Sequence, residues 1–148
     1  MTSRSIGTRL RLGVVASMAA ALMVLAPSVA ASSPVMPIVL TKDCDTDVHC
    51  TVETSSAPGV LPVGTEAFYD PQLSDPRLSS MLTLQTPGGG GTATGHCTLS
   101  WTTGLGTCTF AGGTGTLAGL HANFAVTTDL NTFVFTWTGT YHFEGGGN

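Results

Sequence analysis

From Thr132 to Phe143 apolar and polar residues alternate. Phe133, Phe135, Trp137, Tyr141 and Phe143 fall on one side, with Val134, Thr136, Thr138, Thr140 and His142 on the other. A period of two predicts a strand with one dry face and one wet face. Five of the ten aromatic residues lie on that dry face, so the core is expected to form around this strand.

Shorter alternating runs precede it. Residues 35–40 and 49–54 are weaker strand candidates, and Pro37 demotes the first to an edge strand or extended arm. Residues 64–69 and 80–86 are stronger, and the turn dipeptides Asp70-Pro71 and Asp75-Pro76 separate them. The glycine run 88–91 reads as a loop, because a phosphate cradle needs a following helix and usually a lysine. No cofactor is expected on that ground.

Two hairpins can be tested by parity. If Cys97 faces Cys108, then Gly95 opposes Phe110, Leu99 opposes Gly106 and Trp101 opposes Gly104, which sets large side chains over bare backbone. For residues 120–129 against 132–143, a two-residue loop at Leu130-Asn131 pairs Ala122 with Gly139, Phe124 with Trp137 and Val126 with Phe135. An even loop is required, since an odd one without a bulge would oppose dry residues to wet ones.

After residue 30 no helical periodicity of useful length occurs, apart from a single turn within 114–120. Seven or eight short strands with regular turn signals predict an all-β barrel or sandwich. A long last strand with Gly139 inside it, and cysteines too close in sequence to bridge two sheets, favour an antiparallel barrel of seven to eight strands.

Residues 1–30 have the form of an export signal helix. Arg4, Arg9 and Arg11 precede an apolar run over 12–26, and Pro27 and the small residues before Ala30 suit cleavage. The expected organisation is a cleaved signal over 1–30, an extended arm with edge strands over 31–63, the barrel core over 64–144 and a disordered tail over 145–148. The mature chain is expected outside the cell, with no membrane span.

Without the signal, only Lys42 and Arg77 stand against nine acids, a net charge of −7 that argues against nucleic acid as a partner. A domain of about 117 residues buries roughly 65% of its unfolded surface, so cross-links help. Four cysteines in an exported chain read as two disulfides. Of the three connectivities, Cys44 with Cys50 and Cys97 with Cys108 is favoured because each pair is close in sequence. The alternative, a four-cysteine zinc site, lacks the usual paired spacings.

The segment Phe110-Ala-Gly-Gly-Thr-Gly-Thr-Leu-Ala-Gly119, followed by a strand and then by Trp137-Thr-Gly-Thr-Tyr-His-Phe143, resembles the C-terminal half of the allene oxide cyclase and dirigent type of barrel. The likeness covers roughly residues 97–144. It implies an eight-stranded, calycin-like antiparallel barrel, often with an apolar cavity, in families that cyclise or orient small apolar molecules. The functional residues of the cyclases lie mainly in N-terminal strands, where no matching motif occurs, so no catalytic residue is transferred.

Three constellations carry possible chemistry. His121 and His142 are diagonal neighbours on the wet face at the expected register, His121 facing Thr140; with Glu144 nearby they form either a metal site or ordinary surface side chains. Asp43, Asp45 and Asp47 have the spacing of hard oxygen ligands but lack the glycine turn and distal glutamate of the helix-loop-helix calcium site. The dry aromatic face either fills the barrel or lines a pocket, and in the second case Trp101, Phe110, Phe124, Phe135, Trp137 and Tyr141 are the ligand contacts. No nucleophile elbow is present, and both cysteine pairs are expected to be oxidised. The leading expectation is a secreted, disulfide-stabilised, non-catalytic binding or structural module able to take a small apolar ligand. The alternatives are a cyclase or isomerase acting inside the barrel, and an extracellular partner-binding protein. The sequence carries no signal for oligomeric state.

Overall fold

The computed structural model describes residues 33–46, 48–70, 73–74 and 76–145. The expected signal segment and residues 146–148 lie outside them. Among the described residues nine strands follow one another: β1 (Met36–Thr46), β2 (His49–Ser55), β3 (Glu66–Tyr69), β4 (Leu73–Ser74), β5 (Arg77–Gln85), β6 (Thr92–Ser100), β7 (Leu105–Ala111), β8 (Leu120–Thr128) and β9 (Phe135–Phe143). All pairings are antiparallel. Each strand of the ring lies beside its neighbours in sequence, β3 pairs with β5, and β9 returns to β1, giving a closed eight-stranded up-and-down barrel. The two-residue β4 pairs only with the start of β5. Closure leaves no long unpaired edge, which is the usual hazard of an all-β chain.

The inward residues are the dry-face residues of each alternating run. Ile38, Leu40, Val52, Leu82, Leu84, Phe110, Leu120, Ala122, Phe124, Val126 and Trp137 are all buried in one continuous core. One end of the barrel is sealed. There Leu61, from the connection between β2 and β3, and Leu117, from a 3₁₀ turn at Gly115–Leu117, are fully buried. That turn is the single helical turn expected within 114–120. It crosses against the 86–91 loop, where Thr116 N–H donates to Gly90 O (2.9 Å) and Thr114 N–H to Thr92 O (2.7 Å). Gly115 has φ +55°, and a Cβ on it would run into the Gly90 carbonyl, so glycine is required for the close crossing.

The register expected from Cys97 and Cys108 is found for Gly95 with Phe110 and Leu99 with Gly106. Both favoured disulfides, Cys44–Cys50 and Cys97–Cys108, are present as directly opposed cross-strand pairs. Trp101 and Gly104 are not a strand pair. β6 ends at Ser100, Gly104 N–H turns back to Ser100 O (2.8 Å), and Trp101 N–H donates to Pro76 O (3.0 Å).

Two further expectations are corrected. First, β1 and β2, which fall in the expected arm with edge strands over 31–63, are members of the ring, with β1 between β2 and β9. Pro37 is tolerated because it pairs with Thr140 of β9 at a level where the ladder to β2, which starts at Leu40, has not begun. Second, the hairpin β8–β9 is shifted by two residues. Val126 pairs with Trp137, Phe124 with Gly139, Ala122 with Tyr141, and His121 directly with His142. The cause is the loop. The Asp129 carboxylate accepts the backbone N–H groups of Asn131 (2.8 Å) and Thr132 (3.4 Å), an Asx turn that extends the connection to residues 129–134. Those bonds, the one from Asn131 first, also hold the Asp129 carboxyl below its ordinary range. Because the shift is even, every face is preserved. Phe133 leaves the strand, however, and stands exposed in the loop at φ +56°.

Candidate functional site

The end of the barrel opposite the sealed one is hollow. A cavity of about 560 Å³ opens between the start of β5, the β6–β7 turn, the β8–β9 loop and the tip of the β1–β2 hairpin. This volume falls in the range of small-molecule sites. Its floor is Lys42 with the Cys44–Cys50 disulfide, its walls are Tyr69, Leu78 and Phe135, and Trp101, Phe133 and Asp45 stand at the rim. Trp101 meets Phe135 edge to face, with ring centroids 6.4 Å apart.

Lys42 sits in the alternation Ile38, Leu40, Lys42, so its side chain points inward, and it is 2% exposed. Phe135 is its direct partner on β9 and Val52 its partner on β2. Its Nζ lies 3.0 Å from Cys50 Sγ and 3.5 Å from Cys44 Sγ. Three rings surround it, with centroids at 4.2 Å (Phe135), 4.8 Å (Tyr69) and 5.4 Å (Trp137). None of the ion pairs among the described residues involves it; the Asp45 carboxylate is engaged by His49 Nδ1 at 2.7 Å. Ring faces attract a cation, but loss of water disfavours it more, and burial pulls the amine down from 10.5 to about 7. Burial likewise pushes the Tyr69 phenol above its ordinary range. The cavity thus offers apolar walls, a phenol that stays protonated and an amine that is substantially neutral near pH 7.

Of the six aromatic residues named from the sequence as ligand contacts, Trp101 and Phe135 line this cavity. Phe110, Phe124 and Trp137 pack on one another below it, with centroids 5.1 to 6.0 Å apart, and fill the barrel. Tyr141 lies toward the sealed end, half-buried against Phe143. The aromatic face is therefore both filling and lining, at different heights. Sequence reasoning misses Lys42 and Tyr69. The signal that could have found the first is a lone lysine, the only one in the chain, on the dry parity of its strand.

His121 and His142 stack on the outer surface near the sealed end, with centroids 5.1 Å apart and planes 17° from parallel. Glu144 approaches both, at 3.1 Å from His121 Nε2 and 4.0 Å from His142 Nε2. Their donor atoms all lie within 4.8 Å of one another, so the trio could supply three ligands to a divalent ion, on a rim without a dry surrounding shell. The acidic hairpin does not converge in this way. Asp43 accepts the Cys44 N–H (2.8 Å), Asp45 is bound to His49, and Asp47 lies outside the described residues.

Fold and cavity together define the class: a disulfide-braced up-and-down β-barrel, packed at one end and hollow at the other. No protein-family model, curated protein or solved structure matches the chain. Among the described residues no helix is long and apolar enough to cross a membrane.

Proposed function

We propose that this protein is an exported, non-catalytic binding barrel that takes a small apolar molecule into the cavity at its open end. The observation that carries the reading is the cavity of about 560 Å³ walled by Tyr69, Leu78, Trp101 and Phe135. Phe133, 54% exposed at the rim, adds an apolar lip beside which such a molecule would pass. The two disulfides suit an oxidising compartment, and the export signal read from residues 1–30 agrees with that. The likeness of residues 97–144 to allene oxide cyclase and dirigent barrels supports the same ligand class.

Titration with the apolar fluorophore N-phenyl-naphthylamine tests the reading. Saturable enhancement with one probe per chain, lost in a correctly folded Leu78→Trp variant that fills the cavity, is the expected result. Enhancement that never saturates, or that survives Leu78→Trp, would sink it.

A second reading, a cyclase or isomerase acting inside the barrel, is favoured by one observation: Lys42 and Tyr69 place polar groups among the rings. Turnover of a bound ligand, rather than its release unchanged in native mass spectrometry, separates the two.

A further inference from the structure

The lysine at the floor of the cavity breaks the apolar stripe of its strand. A leucine or methionine would complete the dry stripe begun by Ile38 and Leu40. In place of one stands a buried amine with no carboxylate partner among the described residues, an arrangement that costs stability. We propose that Lys42 is a carbonyl-capturing residue: an apolar aldehyde or ketone in the cavity condenses with its Nζ to form an imine. This rests on the binding reading above and adds the reactive group of the ligand.

The geometry favours capture over ion pairing. An anionic head group would need several donors in place of water, yet the amine's immediate neighbours are two disulfide sulfurs and three rings, of which only Tyr69 carries a donor beside it. A neutral carbonyl carries no such cost. The amine's depressed pKa, caused by the same burial, leaves a large part of it free as a nucleophile near neutral pH. In the step itself the nitrogen lone pair attacks the carbonyl carbon, a C–N bond forms, and the carbonyl oxygen leaves as water with both amine protons. No oxidant or reductant enters. Apolar walls favour expulsion of that water and slow its return.

Cinnamaldehyde, with sodium cyanoborohydride to reduce any imine, is the probe, applied to the intact, disulfide-bonded protein. Intact mass and peptide mapping locate the adduct, and with a single lysine in the chain the terminal amine is the only competing site. One adduct on Lys42 is expected, forming at least ~10-fold faster at pH 7 than on a free lysine side chain. Cinnamyl alcohol, which fits the same space without a carbonyl, is expected to bind and to block the adduct competitively. Alcohol binding without an accelerated Lys42 adduct would overturn the capture while leaving the binding barrel standing. Absence of binding by either compound would overturn both. Saturable binding of cinnamate, tighter than that of the alcohol and without an aldehyde adduct, would make Lys42 an anion anchor and overturn the capture. Every arm uses the unaltered protein, so the result does not depend on a variant folding.

Discussion

Lys42 is where residue chemistry and stability conflict. Its amine titrates near 7 in the folded protein and near 10.5 once unfolded and hydrated. Between those values the unfolded chain binds the extra proton, so stability rises with pH from about 7 to about 10. Below 7 both states are protonated and this group contributes no slope. The full shift corresponds to ~5 kcal/mol. Tyr69 acts in the opposite sense: above pH 10 the unfolded phenol ionises while the buried one resists, and stability falls again. The Asp45 carboxylate at the rim is taken up by His49 and makes no ion pair with the amine. Urea denaturation is therefore expected to give a maximum near pH 10, and Lys42→Met to flatten the rise. At pH 7 Lys42→Met is expected to stabilise the fold by about 1–4 kcal/mol, because an apolar side chain of similar length replaces a buried amine that makes no ion pair among the described residues. A variant less stable than the parent at pH 7, or an unchanged rise toward pH 10, would contradict the assigned burial of the amine.

At the level of strands and turns, period-two patterning fixes which face of each strand is dry, and that much is legible in the sequence itself. Parity also yields the β6–β7 register, because Cys97 and Cys108 pin it. It fails by two residues at β8–β9, where no cross-link pins the pair and the length of the turn depends on whether the Asp129 carboxylate bonds Asn131 or stays in water. Burial of Lys42 is hidden for another reason. Lysine inside is disfavoured by type, and only closure of β1 between β2 and β9 removes its route to solvent. The same elements yield two tests. Phe110 lies across Gly95, and a Cβ there would stand 2.7 Å from Phe110 Cε1 and collide with a backbone carbonyl. Gly95→Ala is thus expected to cost about 1–3 kcal/mol by urea denaturation. Phe133 has positive φ at the cavity lip, so Phe133→Gly is expected to leave stability unchanged or raise it by up to about 1 kcal/mol while speeding ligand release. Slower release would show that Phe133 does not guard the mouth.

For the whole molecule, the two ends of the barrel divide the work of folding and function. The sealed end carries Leu61, Leu117 and Leu120 under a crossing loop tied by backbone hydrogen bonds, and the Phe110, Phe124 and Trp137 stack continues that packing to mid-barrel. The hollow end gives up apolar contacts, and what offsets the loss there is covalent: Cys44–Cys50 closes the β1–β2 hairpin directly beneath the cavity. Removing either disulfide is expected to cost about 2 to 3 kcal/mol on the chain-entropy model. The Cys44–Cys50 pair should in addition matter for binding, because its sulfurs form part of the floor, whereas Cys97–Cys108 lies outside the lining. The two tryptophans report on this division. Trp101 lines the mouth and Trp137 is buried in the filled section, so an apolar ligand is expected to change the emission of Trp101. In Trp137→Phe the ligand-dependent change should persist, and in Trp101→Phe most of it should vanish. The opposite pattern would place the ligand in the middle of the barrel, where the stacked rings leave no room unless the core opens, and the hollow end would then be a surface depression and not the site.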